Sequence, residues 1–320
     1  MPIESRNLLP VARCFCDPQN PRSITPSLWL VTFARCARYG VAFRSRPLLA
    51  SLNTMWEEGM RDSSVPFFDR LLNSVRIRYS RYVQENDYSP AFRNAKVAVI
   101  GPNCQLDARD RTHIAAADVV VVMNKGRRLR IYPELVALAR RIAYFHCLDL
   151  SEIWGGGPLD TVELRKSGFK AVFYPLDDDL LSRNVHEFHA NNRGWLKLRR
   201  IAPEVYQDIQ TSIGGFRPTS GLAIASSLAR IPGCTLYVSG ITFYRKAYMP
   251  EYAAHLMDLA SIKEQMELHG VHHPDQEFIA FMRLKEQYNI QVDEQLEAII
   301  KAPYTPLFYT DPGDDRIAYP

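Results

Sequence analysis

From Lys96 onward, short, densely apolar runs alternate with longer stretches in which apolar residues recur every three or four positions. The runs Lys96–Ile100, Val119–Met123, Ala171–Tyr174 and Thr235–Val238 are brief and rich in β-branched or aromatic residues, so they predict buried strands, the last a central one. Helical spacing covers Leu135–Ile142, Gly221–Ala229, Ala253–Leu268 and Asp275–Tyr288. Thr219 and Ser220 are N-cap residue types ahead of the second of these helices, and Gly270 is a stop after the third. Ile290–Val292 reads as one more short strand. Strands alternating with helices predict an α/β fold: a Rossmann-like, mostly parallel sheet with flanking helices.

The first 95 residues are patterned differently. Pro21, Pro26 and Pro47 cut them into short segments, and Val65–Tyr82 has helical spacing interrupted by Arg70, Arg76 and Arg78. Leu28–Phe43 is the most apolar early stretch; Arg35 and Arg38 make it a helix that packs or lies on a membrane surface, not a span. The expected organisation is therefore a mostly helical region over 1–95, an α/β domain over 96–302 and an irregular tail rich in Pro and Asp over 303–320. No apolar run approaches the roughly 20 residues that cross a bilayer, and the first residues lack a signal-peptide pattern. A cytoplasmic protein is expected, with peripheral association at the inner face of the membrane left open.

Composition narrows the function classes. Of 320 residues, 47% are hydrophobic and 23% charged, enough for a filled core and an ordinary soluble surface. A net charge of +4 is too small to imply a nucleic-acid surface. The basic runs Arg127–Arg130 and Lys197–Arg200 read as solvated faces, or as patches that attract an anionic glycan or lipid headgroup. Cysteines 14, 16, 36, 104, 147 and 234 are scattered without zinc spacing and are expected to be free thiols. His272, His273, Asp275 and Glu277 do not form a separated ligand set, so no metal is expected, and Asp177–Asp179 reads as a solvated loop.

Three places carry candidate chemistry. Gly101-Pro102-Asn103 follows a buried strand and can bring backbone close to a ligand, although it is also what a plain tight turn looks like. Asn124 ends the next strand with an amide that can both donate and accept; a turn or cap role fits it equally well. Pro218-Thr219-Ser220-Gly221 opens a helix whose free amides and hydroxyls suit phosphate or sugar oxygens, or merely cap it.

Arg217-Pro-Thr-Ser-Gly221, the apolar helix after it, and Leu236-Tyr-Val-Ser-Gly-Ile-Thr-Phe-Tyr244 resemble the central segment of bacterial sialyltransferases of the Campylobacter type. Gly101-Pro102 and Asn124 resemble that family's first nucleotide loop and the asparagine after its second strand. The stretch from His272 to Val292, with Glu277, resembles the segment that follows its catalytic histidine. The likeness runs from about Lys96 to Val292, and the first 95 residues have no counterpart. At two positions the chain departs from the family pattern: Ile100 stands where an asparagine precedes the first glycine, leaving Asn103 as a displaced substitute, and Thr242 replaces an aspartate.

The resemblance implies an inverting glycosyltransferase that moves sialic acid or a related acidic sugar from a CMP-activated donor to a glycan or glycolipid hydroxyl, with no cofactor or metal. It implies His272 as the base, with adjacent His273 the competing assignment, and Tyr244 and Tyr248 as holders of the leaving phosphate. Arg217 would sit near the sugar, and Gly101, Asn103, Asn124, Thr219, Ser220 and Gly221 would meet the donor. Alternatives are a transferase for another CMP-linked ulosonic acid, or a non-catalytic nucleotide- or glycan-binding scaffold. The N-terminal region is left to bind acceptor, membrane or a second subunit in a homo-oligomer. No nucleic-acid partner is expected.

Overall fold

The computed structural model describes residues 86–307 except 154, 178–181, 194 and 257, all within one structural unit of the chain. The expected helices at Leu28–Phe43 and Val65–Tyr82 lie outside these residues, as do most of the C-terminal tail and Asp178 and Asp179.

Eight parallel strands form the sheet: β1 (Asn86–Asp87), β2 (Lys96–Ile100), β3 (Val119–Met123), β4 (Ile142–Phe145), β5 (Ala171–Tyr174), β6 (Lys197–Arg200), β7 (Thr235–Ser239) and β8 (Gln291–Val292). Their order is β1-β6-β5-β4-β3-β2-β7-β8. After β2 the chain steps away through β3, β4, β5 and β6, then returns to place β7 on the other side of β2. The loops that leave β2 and β7 therefore diverge where the winding reverses, the position at which open parallel sheets hold ligands.

The helices are α1 (Ala108–Ala116), α2 (Tyr132–Leu138), α3 (Thr161–Lys166), α4 (Ser182–Asn191), α5 (Pro203–Ser212), α6 (Ser220–Ala229), α7 (Pro250–Ala253), α8 (Leu259–His269), α9 (Pro274–Tyr288) and α10 (Glu294–Lys301). They cover both faces of the sheet. Val97, Val99, Val119 and Val121 point into a core with Leu222, Ile224, Phe278 and Phe281 of α6 and α9, whereas Ala98, Ile100, Val120 and Val122 pack on Ile114 of α1 and Leu135 of α2. This two-sided burial is why β3 is apolar at every position: neither face meets water. Helix α6 is buried from Gly221 to Ala229, and its small residues allow close packing against α5 and α9.

Several expectations change at the boundaries. The helix expected to run through Ile142 ends at Leu138, and Ile142 instead opens β4, whose central place in the sheet no local pattern announced. The helix expected from Ala253 starts only at Leu259, as α8, where Asp258 caps it by accepting from Ser261 N at 2.7 Å; Ala253 itself closes the short α7. Lys197–Arg200 is not a solvated basic face: it is β6, with Leu198 fully buried and Arg200 paired with Asp177. Strand β7 is interior, though one place from the edge. The sheet also begins earlier than Lys96. Tyr88 and Phe92 are each 1% exposed and their rings pack on Phe145 and Phe173 at 5.3–6.1 Å, while Tyr88 Oη is 2.5 Å from Ser227 Oγ of α6. At the other end, Leu307 N donates to Asp275, so the first residues of the expected tail are held to the domain. No helix among the described residues is long and apolar enough to cross a membrane.

Candidate functional site

A cleft of about 390 Å³ opens at the carboxyl ends of the strands. Its walls come from the loops after β2, β3, β4 and β7, from the start of α6, and from Val271 and His272 ahead of α9.

The two diverging loops meet backbone to backbone at Gly101 and Gly240. Gly101 N donates to Ser239 O at 2.7 Å, Asn103 N donates to Gly240 O at 3.0 Å, and a Cβ on Gly101 would stand 2.5 Å from Gly240 O. Gly240 itself has φ +71°. Gly101 thus serves loop packing, while its neighbour Pro102 lines the cleft. Asn103 is 3% exposed and is not part of the lining. Its amide donates to Thr242 Oγ1 at 3.0 Å and accepts from Met249 N at 3.2 Å. Asn103, the displaced substitute, therefore bonds to Thr242, one of the two departures from the family pattern, and ties the β2 and β7 loops instead of reaching a ligand.

Asn124 lines the cleft in a left-handed backbone conformation, φ +51°. Its Oδ1 accepts from Cys147 N at 3.0 Å and its Nδ2 donates to Ser220 Oγ at 3.3 Å, so it links β3, β4 and α6. Thr219, Ser220 and Gly221 lie beside it at the N-terminus of α6. Thr219 Oγ1 accepts from Leu222 N, and its own N and Oγ1 donate to the Glu277 carboxylate at 2.9 and 2.5 Å. Thr219 is thereby a cap and an anchor to α9; Ser220 and Gly221 are the parts of this turn offered to the cleft.

The two histidines have separate tasks. His273 Nδ1 accepts from Gln276 N, capping α9, and its ring rests edge-on against Phe216 at 4.9 Å. His272 lines the cleft and donates from Nδ1 to the Arg217 carbonyl oxygen at 2.7 Å. A carbonyl can only accept, so Nδ1 carries the proton and Nε2 the lone pair. Burial, opposed by that hydrogen bond and aided by the Arg217 charge, lowers the His272 pKa to about 4. The ring is therefore neutral at pH 7, the state in which it accepts a proton. Glu277 is fully buried behind it, 3.7 Å from Nδ1, and burial raises its pKa to about 8 against the bonds from Thr219.

Tyr244 and Tyr248 share the cleft wall with their rings edge to face at 5.8 Å, and Tyr252 stacks on Tyr248 at 5.6 Å. Burial raises the pKa of all three phenols, so each keeps its proton and is a donor at neutral pH. Phe243 and Tyr244 both have positive φ, 49° and 60°, a strained turn that aims Tyr244 at the cleft instead of extending β7. Arg217 also lines the cleft.

Sequence reasoning missed Lys125, Cys147, Asp149, Tyr252 and Gln265 in the lining. Tyr252 had a signal, a place one helical turn after Tyr248. Cys147 and Asp149 had none, because β4 was not recognised. His146, buried beneath the same loop, accepts from Leu148 N at 2.9 Å and faces Gly157 O at 3.2 Å with its other nitrogen, which shapes the loop and leaves neither nitrogen for a ligand. In the basic run Arg127–Arg130, Arg127 pairs with Glu163 and Arg128 with Glu152 at 2.6 Å, whereas Arg130 is solvent-exposed, 3.6 Å from Glu251. Among the described residues, no three His, Cys, Asp or Glu side chains converge as metal ligands, and Cys104, Cys147 and Cys234 are free thiols. No protein-family model, characterised protein or solved structure matches the chain.

Proposed function

We propose that this chain is an inverting glycosyltransferase that uses a CMP-activated acidic sugar, sialic acid or a close relative, as donor. The observation that carries the reading is the state of His272: a neutral ring, held in the Nδ1–H tautomer by the Arg217 carbonyl, in the same cleft as a pair of protonated phenols and an open helix N-terminus. The resemblance of Arg217–Gly221 and Leu236–Tyr244 to sialyltransferases supplies the identity of the donor.

In this reaction an acceptor hydroxyl attacks the anomeric carbon while the bond to the CMP oxygen breaks. His272 Nε2 takes the hydroxyl proton, and the Arg217 carbonyl stabilises the resulting imidazolium through Nδ1–H. The hydroxyls of Tyr244 and Tyr248 donate to the departing phosphate as its charge grows. Ser220 and Gly221, at the positive end of α6, meet further donor oxygens, and Arg217 orients the acidic group. A single displacement inverts the anomeric centre.

The test is a screen of nucleotide sugars with candidate glycans, followed by mass spectrometry for CMP release and matched mass gain. Transfer is expected from a CMP-linked acidic sugar, and His272→Ala should lower it by at least about 100-fold while CMP still binds. CMP binding without release would favour the scaffold alternative. Absence of any cytidine-nucleotide binding would refute the donor assignment.

A further inference from the structure

We infer that Lys125 is a further oxyanion-binding residue of the cleft, a cation that meets a phosphate or carboxylate oxygen of the bound ligand. Lys125 is 5% exposed and lines the cleft directly after Asn124. Its neighbours in sequence show what basic residues here ordinarily find. Arg127 and Arg128 each reach a carboxylate at 2.6 Å. Lys125 does not. Its ammonium donates to the backbone oxygen of Glu152 at 2.9 Å and stands 5.2 Å from the centre of the Tyr252 ring, and no described carboxylate lies within 4.0 Å of it. Glu152, the acid nearest to hand, has both carboxylate oxygens engaged by Arg128 at 2.6 and 2.9 Å.

A buried cation that is given dipoles, an aromatic face and only the more distant charge of a carboxylate already engaged by Arg128 lowers stability unless a ligand supplies a closer anion. Burial depresses the pKa of Lys125 by more than the charge of Glu152 raises it. The surrounding loop is built to admit it. A Cβ on Gly157 would come within 3.0 Å of Lys125 Cγ, and one on Gly156 within 2.9 Å of Asn124 Oδ1, so glycines let the loop close over this pair. Ring contacts continue from Lys125 through Tyr252 to Tyr248 and Tyr244, the phenols proposed for the leaving phosphate. A lysine here would provide a full positive charge beside the neutral phenols.

The source of the oxyanion rests on the glycosyltransferase reading; the anion site itself does not. Thermal stabilisation and calorimetric titration should be measured on the wild type, Lys125→Gln and Lys125→Met with inorganic phosphate, cytidine, CMP and the intact CMP-linked acidic sugar. Gln removes the charge and keeps a polar N–H donor on a side chain one bond shorter, while Met keeps the length without the donor, so the two variants together separate loss of charge from loss of the tether. Phosphate is expected to raise the wild-type melting temperature and to do so much less in either variant. CMP binding should weaken by about tenfold or more with cytidine binding unchanged if the oxyanion is the leaving phosphate. Loss confined to the intact donor would assign it to the sugar carboxylate. Phosphate stabilisation through Lys125 without any cytidine-nucleotide binding would keep the anion site and refute the donor. Equal responses of wild type and both variants to phosphate, CMP and donor would overturn the inference and leave Lys125 as a tether for the Glu152 loop.

Discussion

Glu277 provides a prediction about folding that does not depend on any substrate. Its carboxyl is fully buried, held by Thr219 N and Oγ1, and its pKa is raised to about 8 because burial disfavours the charged form. In the unfolded chain the same group releases its proton near pH 4.5. Between these values the folded state holds a proton that the unfolded state has lost, so stability is highest below about pH 4.5 and falls as pH rises toward 8. For this group alone, going from about pH 5 to about pH 8 costs roughly 3 kcal/mol. Glu277→Gln keeps an acceptor for Thr219 N and has no charge to bury. His272 acts in the opposite sense, losing stability as pH falls from 6.5 toward about 4, and does so in both proteins. Urea denaturation of wild type and Glu277→Gln at intervals across this range should show the variant gaining on the wild type as pH rises, by roughly the same 3 kcal/mol. A difference that is flat with pH, or a variant that falls further behind at alkaline pH, would refute the assignment of Glu277 as a buried neutral acid.

The remaining expectations follow from named contacts. Because His272 must be neutral to accept a proton and its pKa is lowered to about 4, the acid limb of kcat/KM for transfer should fall near pH 4 and not near 6.5, which a pH–rate profile measures. Tyr248→Phe should reduce kcat by about 10- to 100-fold with a smaller effect on donor KM, and unchanged turnover would remove it from leaving-group stabilisation. Gly101→Ala sets a methyl against Gly240 O at 2.5 Å and should destabilise by about 2 kcal/mol, read as a lowered denaturation midpoint. Phe92→Ala should cost about 3 kcal/mol or more, since Phe92 is 1% exposed among Tyr88, Phe145 and Phe173; a surface-like loss under about 1 kcal/mol would mean that the domain begins later.

What could be read along the chain was whatever short-range physics enforces. An unbroken apolar run such as Val119–Met123 is tolerated only with both faces covered, which already implied a parallel sheet between helices. Thr219 as the cap of α6 and Gly270 as the left-handed stop of α8 are local requirements of helix ends, and they were legible for that reason. Strand β4 was not legible. Its four residues follow a helical pattern without a break, and its pairing with Val120–Met123 is a matter of partners distant in sequence. The site divides in the same way. Residue type and place pointed to Asn124, and the resemblance to sialyltransferases implied Arg217, Tyr244, Tyr248 and His272; the fold brings all five to one cleft. The fold gave His272 and His273 their separate hydrogen bonds, turned Asn103 away from the cleft toward Thr242, and left Lys125 with no carboxylate within 4.0 Å among the described residues while Arg127 and Arg128 found theirs. Each of those outcomes depends on which backbone carbonyl or side chain arrives from another strand, information that neighbouring residues do not carry.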